Sequence, residues 1–230
     1  MPIPVKNGSV EADEINVVGD YVNTGYISST PNTGMYAEKD PFYGLPTPPA
    51  SGCLETNLAF NSGNHILSPG IYCGGIALSG SASVTLQSGT YVIQGGNLQM
   101  SGANTSLEGS GVTLYTAEHS EIRIQGQGDI DLSAPTYGTY AGVLMYGDPL
   151  AATNTQHHIN GDANMIYEGF MYFPSAQLQF NGNGTGTTSA NYVGAVARVL
   201  EFGGNGELHF IYDADNTNVP SLPGSATLVE

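Results

Sequence analysis

Short stretches in which apolar and polar residues alternate recur along the chain, and each ends at a glycine. IALSG ends at Gly80, NLQMSG at Gly102 and EIRIQG at Gly126. Alternation with a period of two is typical of a β-strand that buries one face. A second series runs in step with the first: GIYCGGI, GTYVIQGG, GVTLYTA, AGVLMYG and EGFMYFPS. The pattern therefore predicts at least two short strands in every repeat.

The spacing of the closing glycines indicates how these strands are arranged. From Gly80 onward the spacings are 22, 24, 35, 21 and 22 residues, which continues the series through Gly161, Gly182 and Gly204. A coil that repeats along the chain with the same residue at its corner is typical of a solenoid. We expect an all-β fold, a single right-handed parallel β-helix with about 22 residues per coil and six or seven coils. The corner glycines should adopt positive φ or lie close to the neighbouring coil, and Leu78, Met100, Ile124 and Phe180 should stack in one column beside them. An antiparallel barrel or sandwich is the alternative.

Two segments depart from the repeat. Residues 24–53 are rich in Pro and Gly and predict an excursion loop that leaves the coil and returns. The tail 211–230 also breaks the pattern, and we interpret it as a C-terminal cap, because the open end of a β-helix needs a cover. In this interpretation residues 1–230 form one β-helix domain. A further loop is expected in the long spacing between Gly126 and Gly161.

Several motifs follow one another in a recognisable order. They are INVVG, TGYISSTPNTG, DPFYGLPTPP, LSPGIYCGGIALSGSASVTLQSGTYVI, GGNLQMSG, DIDLSAPTYGTYAGVLMY and EGFMYFPSAQLQFNG. In this order the chain resembles the C-terminal region of TadG-like proteins, the Flp pilus-assembly proteins of bacterial Tad (tight-adherence) systems. The resemblance spans nearly the whole chain. It implies an exported protein of the bacterial cell envelope, cell surface or exterior, whose export signal and anchor lie outside this sequence, and it implies no catalytic residues.

The charge of the chain limits its partners. Four Lys and Arg stand against twenty Asp and Glu, which gives a formal net charge of −16. Such a chain cannot neutralise phosphates or anionic headgroups, so nucleic acid is not an expected partner. No run of eighteen apolar residues occurs, and we expect no membrane contact by this region itself. The expected partner is a protein of the pilus or cell envelope, or a surface glycan.

The chain has two cysteines, Cys53 and Cys73. In an exported β-rich protein such a pair predicts a disulfide, which would join the end of the excursion loop to the GIYCGG strand. Two buried thiols are the alternative. Two cysteines are too few for a typical metal site, and we expect no metal and no cofactor.

Candidate catalytic groups are sparse. His157 and His158 are adjacent, so on a strand they point to opposite faces and cannot share one site. Asp129 and Asp131 do share a face, which allows a polysaccharide-active lyase or hydrolase as an alternative function. Because no base or electrophilic partner is identifiable beside them, we expect the protein not to be an enzyme.

The tyrosines are the remaining feature. Fourteen occur without any Trp, and five fall at similar places in successive coils, which predicts a stacked ladder that is either structural or a platform for a ligand. An ice-binding or carbohydrate-binding solenoid is a further alternative, although ice binding would need regular ranks of threonine. We expect a non-catalytic structural or adhesive module, whose contact surface consists of aromatic residues in polar loops. These residues are Phe42, Tyr43, Tyr137 and Tyr140.

Overall fold

All of the strands that the structure describes pair in parallel. The computed structural model describes residues 3–5, 9–10, 14–23, 25–37, 39–49, 51–126, 128–160, 165–182, 193–204 and 227–228. Its strands are β1 (Ile3–Val5), β2 (Ser9–Val10), β3 (Asn16–Val17), β4 (Tyr21–Asn23), β5 (Tyr26–Ile27), β6 (Asn32–Thr33), β7 (Glu55–Leu67), β8 (Gly70–Leu86), β9 (Gly89–Gln94), β10 (Leu98–Ser101), β11 (Ser106–Ser110), β12 (Val112–Thr116), β13 (Ile122–Gln125), β14 (Asp129–Ser133), β15 (Val143–Gly147), β16 (Gln156–Asn160), β17 (Met165–Gly182), β18 (Val193–Gly204) and β19 (Thr227–Leu228).

Twelve of these strands, β7 to β18, form one parallel sheet that winds into a β-helix. The helix has about 5 turns with equivalent residues about 23 positions apart, so the predicted fold class is confirmed and the coil count is slightly lower than expected. Each coil contributes to three faces. Face A contains β10, β13, β16 and residues 58–60, 76–78, 177–182 and 199–204. Face B contains β11, β14 and residues 62–67, 81–86 and 165–168. Face C contains β9, β12, β15 and residues 70–73, 169–173 and 193–197.

Inward side chains stack in columns along the helix axis. On face A, Met100 pairs in register with Leu78 on one side and Ile124 on the other, and the same column continues to Ile159 and Phe180. All five are buried in the main hydrophobic core. The column predicted from the alternating pattern is therefore present, because strands in successive coils pair in parallel and bring equivalent positions together.

The corner glycines are required by close backbone contact. Gly80, Gly102 and Gly126 have φ of +61°, +123° and +110°. A Cβ on Gly126 would lie 2.9 Å from the backbone N of Gly102, and one on Gly102 would lie 3.1 Å from that of Gly80. The three glycines therefore stack at one corner, as expected. Gly182 pairs with Gly204, whereas Gly161 lies outside the described residues.

The N-terminal residues form smaller coils than predicted. Strand β1 pairs with β4, β2 with β5, and β3 with β6, all in parallel. Asn16 pairs with Asn32, so this coil is shorter than those of the twelve-stranded sheet. Strands β5 and β6 lie inside the segment 24–53 that was predicted as an excursion loop, and the loop proper therefore begins after Thr33.

The predicted C-terminal cap, residues 211–230, lies mostly outside the described residues. Its one described element, β19, pairs in parallel with β3 of the N-terminal coil. Within the described residues, no helix is long and apolar enough to cross a membrane.

Candidate functional site

Face C carries a column of tyrosines on its outer surface. Tyr115 pairs with Val92 and Tyr146, and Tyr146 pairs in turn with Tyr172. The rings of Tyr146 and Tyr172 are stacked with centroids 5.4 Å apart, and Tyr115 meets Tyr146 edge-on at 5.1 Å. Three of the five predicted ladder tyrosines thus form a ladder. The other two, Tyr72 and Tyr91, point into the coil and stack on each other in the core at 5.9 Å.

The ladder is covered by the segment that we call the strap, residues 39–49. Phe42 of the strap packs against Phe170 and Tyr172 with ring centroids 4.8 and 5.1 Å apart. Tyr146 is 0% exposed and Tyr172 4% exposed, although both project outward from the coil. The ladder is therefore structural in this arrangement. Its rings are covered by the strap and do not form an open surface for a ligand.

Tyrosine hydroxyls fasten the strap to face C. Tyr172 donates a hydrogen bond to Asp40 Oδ2 at 2.6 Å and Tyr146 donates one to the Leu45 carbonyl at 2.9 Å. Tyr140, in the loop before β15, donates to the Pro46 carbonyl at 2.9 Å. The strap therefore contacts β17 at Asp40 and β15 at Leu45, so it runs across the strands of face C.

Burial keeps these hydroxyls protonated. Desolvation raises the pKa of Tyr146 to about 12, with smaller contributions from Tyr140, Asp148 and Asp40. Desolvation, followed by the hydrogen bond to Asp40, raises the pKa of Tyr172, and desolvation with the hydrogen bond to Asp148 raises that of Tyr115. Because they remain neutral at ordinary pH, all three act as donors to the strap and to Asp148.

A disulfide fixes the chain just beyond the strap. Cys53 and Cys73 are bonded with their Cα atoms 5.7 Å apart, which confirms the predicted pairing. Cys73 lies in β8 on face C, so the bond joins the end of the excursion to the first complete coil. The excursion is therefore anchored by the disulfide at one end and by Asp40 and Phe42 at the other.

The four predicted contact residues divide into two pairs. Tyr43 is 89% exposed and Tyr137 is 84% exposed. Phe42 and Tyr140 are half-buried and pack against the ladder. Only Tyr43 and Tyr137 therefore present free rings to a partner. They neighbour the strap contacts directly, because Tyr43 follows Phe42, and Tyr137 shares a loop with Tyr140.

His157 and His158 occupy opposite faces of β16, as expected. His157 is 1% exposed, its Nδ1 accepts a hydrogen bond from the Ile122 amide at 3.1 Å, and its ring stacks on Phe173 at 4.0 Å. Desolvation, with a smaller contribution from His158, lowers the pKa of His157 to about 3. The imidazole is thus a neutral part of the core.

Asp129 and Asp131 lie exposed on the outer surface of face B, as their spacing predicted. Asp129 pairs in register with Ser106 and Asp131 with Glu108, so their immediate neighbours on the preceding rung are a hydroxyl and a third carboxylate. Within the described residues, no three His, Cys, Asp or Glu side chains are grouped so that they can hold a metal ion. Comparison with protein-family models, curated proteins and solved structures finds no match to this chain.

The sequence predicted an excursion that returns to the coil, but it predicted neither the contacts of the strap with face C nor the role of Tyr140. The strap contacts join residues about a hundred positions apart, such as Leu45 and Tyr146, and such contacts leave no periodic signal. One available signal was the unbroken apolar run of β15, VLMYG, whose residues are all buried. A strand that is apolar at every position is covered on both faces, so some segment has to cover face C.

Proposed function

We propose that the protein is a non-catalytic structural or adhesive module of a bacterial surface-appendage system. The order of its motifs, which resembles that of TadG-like proteins, supports the assignment to an appendage of the Flp or Tad kind. The β-helix supports the mechanical part of the proposal. Parallel rungs stacked on a continuous core resist bending and hold surface loops in fixed positions.

The observation that supports the adhesive role is the exposure of two tyrosine rings: Tyr43, within the tightly held strap, and Tyr137, in the loop that contacts the strap. Exposed aromatic rings on fixed backbone are favourable contact groups, because little conformational entropy is lost when a partner covers them. Each ring combines an apolar face with a hydroxyl, which suits both protein surfaces and sugar rings. In this proposal Tyr43 and Tyr137 bind the partner, whereas Phe42 and Tyr140 keep the strap in place.

The partner in this proposal is a protein of the pilus or cell envelope, or an uncharged surface glycan. The net charge of −16 disfavours nucleic acid and acidic glycans. The disulfide agrees with an exported location, because disulfides persist in oxidising compartments.

The test is binding of the fluorescently labelled protein to intact cells and to isolated envelope fractions. We expect saturable binding by the wild type and a reduction of at least tenfold in affinity for the double variant Tyr43→Ser/Tyr137→Ser. Its thermal midpoint should match that of the wild type, since both rings are exposed. The matched control is Tyr36→Ser, which removes another exposed tyrosine, 95% accessible and outside the strap. Equal binding by the wild type and the double variant would contradict the adhesive role.

A further inference from the structure

One end of the β-helix exposes a strand edge. Among the strands that the structure describes, β7 pairs with β8 on one side and with no other strand. Apart from the Ser62 carbonyl, which lies 2.9 Å from His65 Nε2, the backbone donors and acceptors along its other edge are available to a further strand. Natural edges are commonly protected by Pro, by charged side chains or by β-bulges. Strand β7 has no Pro, Lys or Arg, its Glu55 stands at the first position, and its two register shifts against β8 lie before Ser62, so residues 62–67 form an edge without these features.

Apolar side chains accumulate at the same end. Leu58 and Phe60 point inward but are only half-buried, because β7 belongs to the first coil of the helix. On the outer surface, Ile66 of β7 is 71% exposed and Leu54, just before β7, is 51% exposed. A second layer packed against this edge would remove apolar surface from water, at roughly 25 cal/mol per Å².

This end carries little charge, in contrast to the later coils: the one Asp, Glu, Lys or Arg of β7 is the exposed Glu55 at its first position. No Asp, Glu, Lys or Arg occurs between Glu55 and Glu108, although the net charge is −16. The described charged residues of the β-helix beyond this stretch are Glu108, Glu118, Glu121, Arg123, Asp129, Asp131, Asp148, Glu168, Arg198 and Glu201. Two copies that approach through their acidic coils repel each other, whereas two copies that approach through β7 bring together surfaces on which Glu55 is the one carboxylate of the strand.

We infer that β7 is a self-association edge, at which a second copy of this chain docks head to head. In this arrangement the two β7 strands run antiparallel about a two-fold axis, so that each edge satisfies the other and the half-buried Leu58 and Phe60 of both copies become enclosed. A two-fold interface uses the same patch on both copies and closes at the dimer. Stacking one copy head to tail would instead bring β7 against β18, which carries Arg198 and Glu201, and would extend without closure. Self-association at β7 does not depend on the proposed adhesive role.

Sedimentation velocity of the full chain over a range of concentrations tests the inference. We expect a monomer–dimer equilibrium that shifts toward dimer as salt rises, because salt screens the repulsion between two acidic chains. The edge variant Ser62→Lys/Ile66→Lys should weaken dimerisation by at least tenfold. Its matched control is Ser81→Lys/Thr85→Lys, which places the same charges at the paired positions of β8, one rung from the edge. All four positions are exposed.

Two results would overturn the inference: a wild type that stays monomeric at all concentrations, or a control that weakens association as much as the edge variant does. If lysines at the edge impair folding, spin labels provide the second measurement. A label at Ser62→Cys should give a short distance between the two copies, and a label at Glu201→Cys a long one. The reverse order, or a short Ser62–Glu201 distance in mixed samples, identifies a different contact and contradicts the head-to-head dimer.

Discussion

At the scale of single residues, His157 is the clearest departure from the repeating pattern. It occupies an inward column whose other members are aliphatic, with Ile122 on one side and Leu178 on the other. Its Nδ1 accepts a hydrogen bond from the Ile122 amide. The ring therefore replaces an aliphatic side chain and gives the buried Ile122 N–H a partner. The cost is that the ring must stay uncharged, because the core offers no solvation for an imidazolium.

This predicts a specific loss of stability in acid. The pKa of His157 is about 3 in the folded protein and 6.5 in the unfolded chain, so between these values the unfolded chain binds more protons. The contribution of His157 to the free energy of unfolding is therefore complete above pH 6.5 and is lost progressively as the pH falls toward 3. A tenfold difference in proton affinity between the two states is worth about 1.4 kcal/mol, so the total loss amounts to several kcal/mol.

Denaturant unfolding of the wild type and of His157→Gln between pH 7 and pH 4 measures the effect. Glutamine retains a hydrogen-bond acceptor and does not titrate, so the variant should be less stable than the wild type at pH 7 and should lose less stability in acid. His158→Gln, on the outer surface of the same strand, is the control and should keep most of the acid sensitivity of the wild type, because His158 makes only the smaller contribution to the lowered pKa of His157. Parallel pH profiles for the wild type and His157→Gln would show that His157 is not the acid-sensitive group.

At the scale of elements, the strap and its disulfide act together. The strap brings Phe42 onto the ladder, and the Cys53–Cys73 bond restrains the chain a few residues further on. The bond closes a loop across a sequence separation of 20 residues. In the chain-entropy model a loop of this size adds about 3 kcal/mol to the free energy of unfolding.

We therefore expect reductant to lower the unfolding midpoint and to increase cleavage of the strap by a protease before global unfolding. Both follow because the strap is then held by the packing of Phe42 and Leu45 and by three tyrosine hydroxyls, without a covalent bond. Unfolding curves and limited proteolysis with and without reductant provide the measurement. The variant Cys53→Ser/Cys73→Ser is the control, on which reductant should have no effect. Equal midpoints for the oxidised and reduced wild type would contradict the stabilising role of the bond.

The sequence predicted the elements of the β-helix better than the parts that cover it. The alternation that placed Leu78, Met100 and Ile124 in one column is imposed by each strand locally and is repeated in every coil. The strands β5 and β6 were missed because strands of two residues are too short to show alternation. The burial of Phe42 and Tyr140 was missed because it depends on contacts distant in sequence.

At the scale of the whole molecule, the β-helix of about 5 turns has different surfaces along its length. Between Glu55 and Glu108 the β-helix carries no Asp, Glu, Lys or Arg, face C is covered by the strap, and face B carries outward carboxylates in the later coils. Asp129 and Asp131 lie on an open strand surface, where both are exposed to water. Glu108 is beside them, and it supplies a further negative charge instead of an electrophilic partner for an acidic sugar. Binding without turnover is our proposal for this protein.

Whether the protein binds its partner without chemical conversion is tested most directly by product analysis on a polysaccharide panel. Neutral and acidic glycans are incubated with the wild type and with Asp129→Asn/Asp131→Asn, and new reducing and unsaturated chain ends are quantified. We predict that both proteins leave every glycan intact, because the carboxylates of face B have no catalytic partner among the described residues. Cleavage products that form with the wild type and disappear with the double variant would contradict binding without turnover and would identify face B as the active site of a polysaccharide lyase or hydrolase.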